Sequence, residues 1–304
     1  MCKHSLLSVV LTSACLAVGG VADAADGLTI NFGADYSSGK YGGTDRTTVW
    51  SIPVSAKYSA GPVAFRVASS WLRVSGTGVV VPSGLGGIGD DGGISGSSGS
   101  SGGTQGVFGC AADNRSGARK PEDNGPCATA TTTTATGTGS AARHSESGFG
   151  DIVASVIYTP INNRNGLILD LIGKVKIPTA SDTKVLGSGK TDYAAQIEAE
   201  HAVGQGFING GTGHKWLGDP AGIDLRNVWY GAVGGGYKPS AETTLGIVYD
   251  YAQAARRGGT APQEITLYVS QVVTKNVKLN ANVFSGLSDG SPDWGGGVSL
   301  RYNF

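Results

Sequence analysis

Beyond its first two dozen residues the chain has no apolar stretch of about 18 residues, the length a transmembrane helix needs. Helices therefore do not carry it through a membrane. Only a closed β-barrel remains for a membrane protein of this kind, because backbone polar groups facing lipid must be satisfied within the wall. Net charge is absent too: 23 basic and 23 acidic residues cancel, which excludes a global field that would gather nucleic acid or an acidic partner. Cysteine is scarce, with four in 304 residues, and Cys2 and Cys15 fall in the N-terminal segment. Cys110 and Cys127 are left, with no His or third Cys at ligand spacing, so no metal site is expected. In an oxidising compartment these two are expected to close a disulfide, two unpaired loop thiols being the alternative.

The N-terminal segment itself is informative. Met1-Cys2-Lys3-His4 carries positive charge, an apolar run extends from Leu6 to Val21, and Ala22-Asp23-Ala24 supplies small residues two apart. That pattern predicts a secretory signal over 1–24, cleaved after Ala24, and a mature chain of 25–304. A membrane anchor fits less well, since Thr12, Ser13, Gly19 and Gly20 dilute the run and no basic stop-transfer residues follow.

What the chain does have is glycine, 51 residues without a collagen-like period, and a side-chain alternation of period two. In the last segment Trp294, Gly296, Val298, Leu300, Tyr302 and Phe304 share one face, while Asp293, Gly295, Gly297, Ser299, Arg301 and Asn303 share the other. One face suits lipid and the other water. Twelve such segments are expected at 28–36, 47–58, 62–74, 148–159, 165–177, 191–202, 206–217, 226–238, 241–252, 263–273, 276–286 and 292–304. Their connections alternate between tight turns and longer loops, the rule for short periplasmic and long extracellular connections. The predicted fold is all-β: a transmembrane antiparallel up-and-down β-barrel of about 12 strands in the Gram-negative outer membrane, with both ends periplasmic.

Aromatic residues sort with that topology. Trp50, Trp71, Trp216, Trp229 and Trp294 fall at extracellular strand ends, and Tyr58, Tyr158, Phe207, Tyr237, Tyr302 and Phe304 at periplasmic ends, as membrane girdles require. Segment 206–217 is the ambiguous one, because Phe207 and Ile208 are adjacent and His214 shares a face with Trp216.

From Ser75 to Ser147 the composition shifts to Gly, Ser and Thr, which cannot bury enough apolar surface to order itself. A mobile extracellular loop is expected over 75–147, with a lid or plug across the barrel mouth, stapled by Cys110 and Cys127, as the alternative. On the water-facing side of the strands the alternation places Lys57, Arg66, Asp170, Lys174, Lys176, Asp192, Glu198, Glu200, Asp250, Glu264, Lys278 and Arg301. Such charges either line a hydrated pathway or pair to close it. No catalytic residues are expected. His144-Ser145-Glu146 and Glu200-His201 do not form relays, since adjacent residues on an extended chain point to opposite faces. Gly187-Ser188-Gly189-Lys190-Thr191 resembles the end of a phosphate-binding loop, but Lys184 stands where the first glycine is needed.

Three stretches resemble a known family. Gly148-Phe149-Gly150-Asp151 opening a strand, Lys174-Val175-Lys176-Ile177-Pro178-Thr179 closing the next, and Leu186-Gly187-Ser188-Gly189-Lys190-Thr191-Asp192-Tyr193 opening the one after are similar to the outer-membrane transporter family named for the phenol meta-cleavage degradation pathway. The resemblance covers roughly 148–304, and this chain has Ala180-Ser181-Asp182 where the family commonly has Gly-Asp. It implies an outer-membrane barrel that passes small hydrophobic or aromatic compounds inward without a cofactor. Phe304, with Tyr302 and Leu300 on its face, looks like the C-terminal signal read by the barrel assembly machinery. The partners implied are outer-membrane lipid, that machinery and a small-molecule substrate. A surface-interaction barrel with a closed lumen and, further off, a lipid hydrolase using His201 or His214 are the alternative functions.

Overall fold

A strand with one apolar and one polar face needs a partner surface for each, and a sheet curled on itself supplies both. The computed structural model of the chain describes residues 26–41, 46–76, 79–82, 85–88, 107–110, 144–181, 186–219, 225–256 and 258–304. Among the described residues there are fifteen strands and no helix. The first three are β1 (Gly27–Gly39), β2 (Thr47–Ala60) and β3 (Val63–Gly76); two short ones follow, β4 (Val79–Pro82) and β5 (Val107–Cys110), then β6 (His144–Phe149) and β7 (Ile152–Asn162). The remainder are β8 (Leu167–Ile177), β9 (Asp192–Val203), β10 (Gly206–Trp216), β11 (Val228–Tyr237), β12 (Thr243–Ala252), β13 (Gln263–Thr274), β14 (Val277–Gly286) and β15 (Trp294–Asn303).

Neighbours in sequence pair antiparallel from β7 round to β15, β15 pairs with β1, β1 with β2, and β2 with β3. Because β3 also takes β6 and β7 along its other edge, the sheet closes. With β6 and β7 as two halves of one wall strand, the barrel is a closed antiparallel one of twelve strands. The sequence predicts one strand at 148–159. The wall strand instead begins at His144 and is broken at Gly150-Asp151, where Asp151 turns its side chain to the Thr179 and Ala180 amides at 3.1 and 3.0 Å. β4 and β5 form a separate hairpin within the long Gly/Ser/Thr segment.

Turns are tight at the end of the barrel that holds Gly27 and Asn303. Gly61 and Gly204 have φ of +55° and +60°, a conformation that β-carbon sterics make costly for other residues. The long connections leave from the opposite end, called here the loop end.

Burial is inverted relative to a water-soluble core. Phe32, Val54, Phe65, Val67, Ile208, Val233, Leu267, Val283 and Val298 are exposed on the outside, while Asp35, Asp170, Glu198, Asp250, Glu264, Asn280 and Ser299 are buried inside. An apolar exterior around a polar interior is stable only where the exterior meets hydrocarbon.

Candidate functional site in the barrel lumen

All twelve charges assigned by alternation to the water-facing side lie on the inner face: on β2 and β3 Lys57 and Arg66, on β8 Asp170, Lys174 and Lys176, on β9 Asp192, Glu198 and Glu200, and on β12 to β15 Asp250, Glu264, Lys278 and Arg301. Strand register places most of them beside charges of the same sign, the exception being Lys176 opposite Asp192. Lys57 stands opposite Arg66, and the same row continues through Ser155 to Lys174 and through Ala194 to Lys215. Asp170 stands opposite Glu198, and that row continues through Gly211 and Ala232 to Asp250 and Glu264. Lys278 and Arg301 are a third like-charged pair. Like charges directly across a ladder destabilise a sheet, so local stability did not choose this arrangement.

At the loop end the charges are fully engaged. Lys176, with no exposed surface, bridges Asp151 at 3.2 Å and Asp192 at 2.5 Å and donates to Ser188 Oγ at 2.6 Å. Asp192 in turn accepts the Gly218 amide at 2.8 Å. The three stretches that carry the family resemblance thus converge on one buried clasp, Asp151 from the first, Lys176 and Thr179 from the second, Ser188 and Asp192 from the third. It ties the loop after β8 and the loop after β10 to the barrel rim.

Two residues along β8 from Lys176, on the same face, Lys174 reaches a segment of the long connection. Its Nζ donates to the carbonyls of Leu85 and Gly87 at 3.3 and 3.4 Å. Leu85 is wholly buried against Val153 and Ala194 of the inner wall, with Leu217 packed alongside. A β-carbon on Gly211 would come within 3.1 Å of Ile88, so a bare backbone position makes room for that side chain. Residues 85–88 therefore lie inside the barrel as a strap. Of the rest of 75–147, only 75–76, 79–82, 107–110 and 144–147 are among the described residues. The expected pairing of Cys110 with Cys127 falls outside them, because Cys127 is not described and Cys110 is placed only as the β5 residue opposite Val79. The signal segment 1–24 also lies outside the described residues.

Sequence reasoning missed four inward aromatics. Phe207, Tyr230, Tyr268 and Phe284 are buried, and each stands directly across the ladder from a glycine: Gly236, Gly213, Gly246 and Gly295. A β-carbon on any of these glycines would fall within 2.6 Å of the ring, so each ring lies flat over its glycine against the wall. Phe207 is the correction to the expected girdle. Phe207 and Ile208 are neighbours on a strand, only one can face outward, and Ile208 is the exposed one. Tyr230 also donates to Gln196 Oε1 at 2.5 Å, Gln196 donates to Glu198 at 2.6 Å, and the Lys215 ammonium sits 4.5 Å over the Tyr230 ring.

The nine residues Trp50, Trp71, Trp216, Trp229, Trp294, Tyr58, Tyr158, Tyr237 and Tyr302 all point to the outer face. Tyr36 packs between Trp50 and Trp294, with ring centroids 5.0 and 5.3 Å away, and His214 between Trp216 and Trp229 at 4.6 and 4.9 Å. His201 is exposed at the tight-turn end of β9 and His214 faces outward near the loop end of β10, so the two histidines share no site. Phe304 packs edge-on to Tyr302 at 4.7 Å, and its amide donates to the Leu28 carbonyl at 2.9 Å.

No family model matches the chain, and no curated protein matches it. Among solved structures the barrel is similar to the COG4313 outer membrane channel from Pseudomonas putida F1, at 11% identity, covering 95% of this chain and 100% of that one with a TM-score of 0.58. More distant likenesses include the KdgM porin, at 9% identity, covering 91% of this chain and 99% of that one with a TM-score of 0.48. The CymD monoaromatic hydrocarbon channel follows at 11% identity, 91% and 88% coverage and a TM-score of 0.43. The fold is that of Gram-negative outer-membrane β-barrels.

Proposed function

We propose that the protein is an outer-membrane channel that lets small hydrophobic or aromatic compounds pass inward through its lumen. The observation that carries this reading is the closed twelve-stranded wall with lipid-type side chains outside and charged and amide side chains inside. Inner-face polar atoms without a hydrogen-bond partner among the described residues, Asn31 Oδ1, Asn209 Oδ1, Thr266 Oγ1 and Asn282 Nδ2, add support, because buried polar groups of that kind call for water or a solute. The aromatic part rests on the family-like stretches at 148–151, 174–179 and 186–193. In this reading the tight-turn end is periplasmic, lipid and the assembly machinery are the partners, and no catalytic step is assigned.

Purified protein in a planar bilayer is expected to show discrete conductance, and reconstituted vesicles to take up a small aromatic probe such as phenol faster than empty ones. A barrel that neither conducts nor speeds uptake would sink the reading. The strap at 85–88 and the packed clasp above it favour one second reading, a surface-interaction barrel with a closed lumen. Binding of a partner that depends on 75–147, without flux, would select it.

A further inference from the structure

The strap at 85–88 comes from the run Ser83-Gly84-Leu85-Gly86-Gly87-Ile88-Gly89, in which Leu85 and Ile88 are the two large side chains. Both are seated on the inner wall. Leu85 spans from β7 to β9, packed on Val153 and Ala194 with Leu217 alongside. The carbonyls of Leu85 and Gly87 both accept from Lys174 Nζ, and the backbone between them passes through Gly86 at a φ of +64°. Ile88 lies over the bare Gly211. Gly211 stands opposite Glu198, and Glu198 opposite Asp170, which is four residues along β8 from Lys174 toward the tight-turn end. The strap thus descends from the loop end into the lumen.

A permanent plug gains from residues that lose little freedom on being fixed. This one is built mostly of glycine, which loses the most. Its two hydrogen bonds to Lys174, at 3.3 and 3.4 Å, are long for an ammonium donating to a carbonyl. Its one wholly buried side chain is Leu85. What the strap offers the wall is therefore generic: neutral acceptor oxygens next to a branched apolar group. The seat that receives it joins an ammonium donor to the apolar surface of Val153, Ala194 and Leu217. A small molecule that carries the same two features fits the same seat.

We propose that the seat of the strap is a solute-binding site that the strap fills in place of a ligand, and that its ligand is a small neutral compound with a carbonyl oxygen on an aryl or branched alkyl body. A neutral acceptor is the match because the oxygens that Lys174 holds are those of uncharged backbone amides. The inference names the substrate class of the proposed channel, and its part in transport rests on that reading. A solute moving inward displaces the strap, and Lys174 exchanges backbone carbonyls for the solute's own. Because strap and solute compete for one seat, the apparent affinity is the intrinsic one reduced by the fraction of barrels whose strap is out.

The test is equilibrium dialysis of acetophenone against the full-length barrel in lipid nanodiscs, with empty nanodiscs subtracted and ethylbenzene as the probe that lacks the oxygen. Gly86→Val sets a β-branched residue at a φ of +64° and is expected to dislodge the strap, tightening acetophenone binding roughly tenfold. Leu85→Ser removes the buried anchor and should tighten it by another route. Adding Lys174→Met to either variant should abolish the gain for acetophenone and leave ethylbenzene binding within about twofold. In the native barrel, amide hydrogen exchange over 85–88 should quicken as acetophenone saturates. Acetophenone bound no better by the strap variants, a gain that survives Lys174→Met or that ethylbenzene shares in full, or native exchange that acetophenone leaves unchanged would overturn the proposal. Strap-dependent binding without uptake into vesicles removes the channel reading and keeps the site; uptake without strap-dependent binding does the reverse.

Discussion

Glycine is the most abundant residue of this chain, and at four places its use is specific. Gly213, Gly236, Gly246 and Gly295 are bare so that an aromatic ring from the next strand can lie on the backbone. A Gly213→Ala replacement would put its methyl 2.6 Å from the Tyr230 ring carbon Cζ and 2.8 Å from Gln196 Cβ, lifting the ring away from its hydrogen bond to Gln196. Overpacking of that kind costs about 1–3 kcal/mol. The variant is expected to unfold at lower urea concentration in a gel-shift assay of the heated and unheated barrel, and an unchanged midpoint would mean that the ring tilts aside freely. None of these pairs is legible from sequence, because a pair exists only once register is known. Twelve of the inner charges are legible residue by residue, since a period of two assigns a face without register; Asp35 and Lys215, also buried on the inner face, are not among them. Phe207 and Ile208 show where that fails: two adjacent bulky residues satisfy either phase.

At the scale of the element, the long segment 75–147 reads in sequence as featureless, and its composition explains why. The strap is held through its backbone carbonyls, which every sequence offers, and the identifying side chain is Lys174, far away on β8. A strap of this kind narrows the lumen at the height of Lys174. Lys174→Met removes the donor of both hydrogen bonds while keeping most of the apolar stem, so the strap is expected to loosen and single-channel conductance to rise by roughly twofold or more. Conductance equal to that of the native barrel would show that the strap does not set the constriction. The break in the fourth wall strand escapes sequence reading for a related reason. Gly150-Asp151 continues the alternation, and only the Thr179 and Ala180 amides on Asp151 reveal that the chain turns there.

For the whole molecule, the number of wall strands, their antiparallel order and the side of each connection follow from alternation and loop length alone. A barrel wall is one sheet thick, so each strand reports both of its environments directly in its sequence. The sorting of most lumen charges into rows by sign needs the closed register and is invisible before it. Phe304 acts at this scale too, because its amide joins the end of the last strand to Leu28 of the first. Deleting Phe304 is expected to lower the yield of folded protein in the outer membrane, as read by heat-modifiable mobility of membrane fractions. An undiminished yield would assign assembly to other features of the final strand.

The seam between β15 and β1 joins residues as far apart as Thr29 and Asn303, whose side chains meet at 2.9 Å across a sequence separation of 274. Every other wall contact pairs strands that lie close in the chain or are bridged by one long insertion, but this one waits for the last ten residues to be made. Bringing ends so distant together carries the largest loop-closure entropy of the fold and gains nothing until the ladder forms. Until then both edges of the sheet, β1 on one side and whichever strand has just been added on the other, carry unpaired amides and carbonyls. Protection from aggregation is therefore needed for the entire interval of synthesis and export and ends in one event, the annealing of a ten-residue zipper from Thr29↔Asn303 to Ser38↔Trp294.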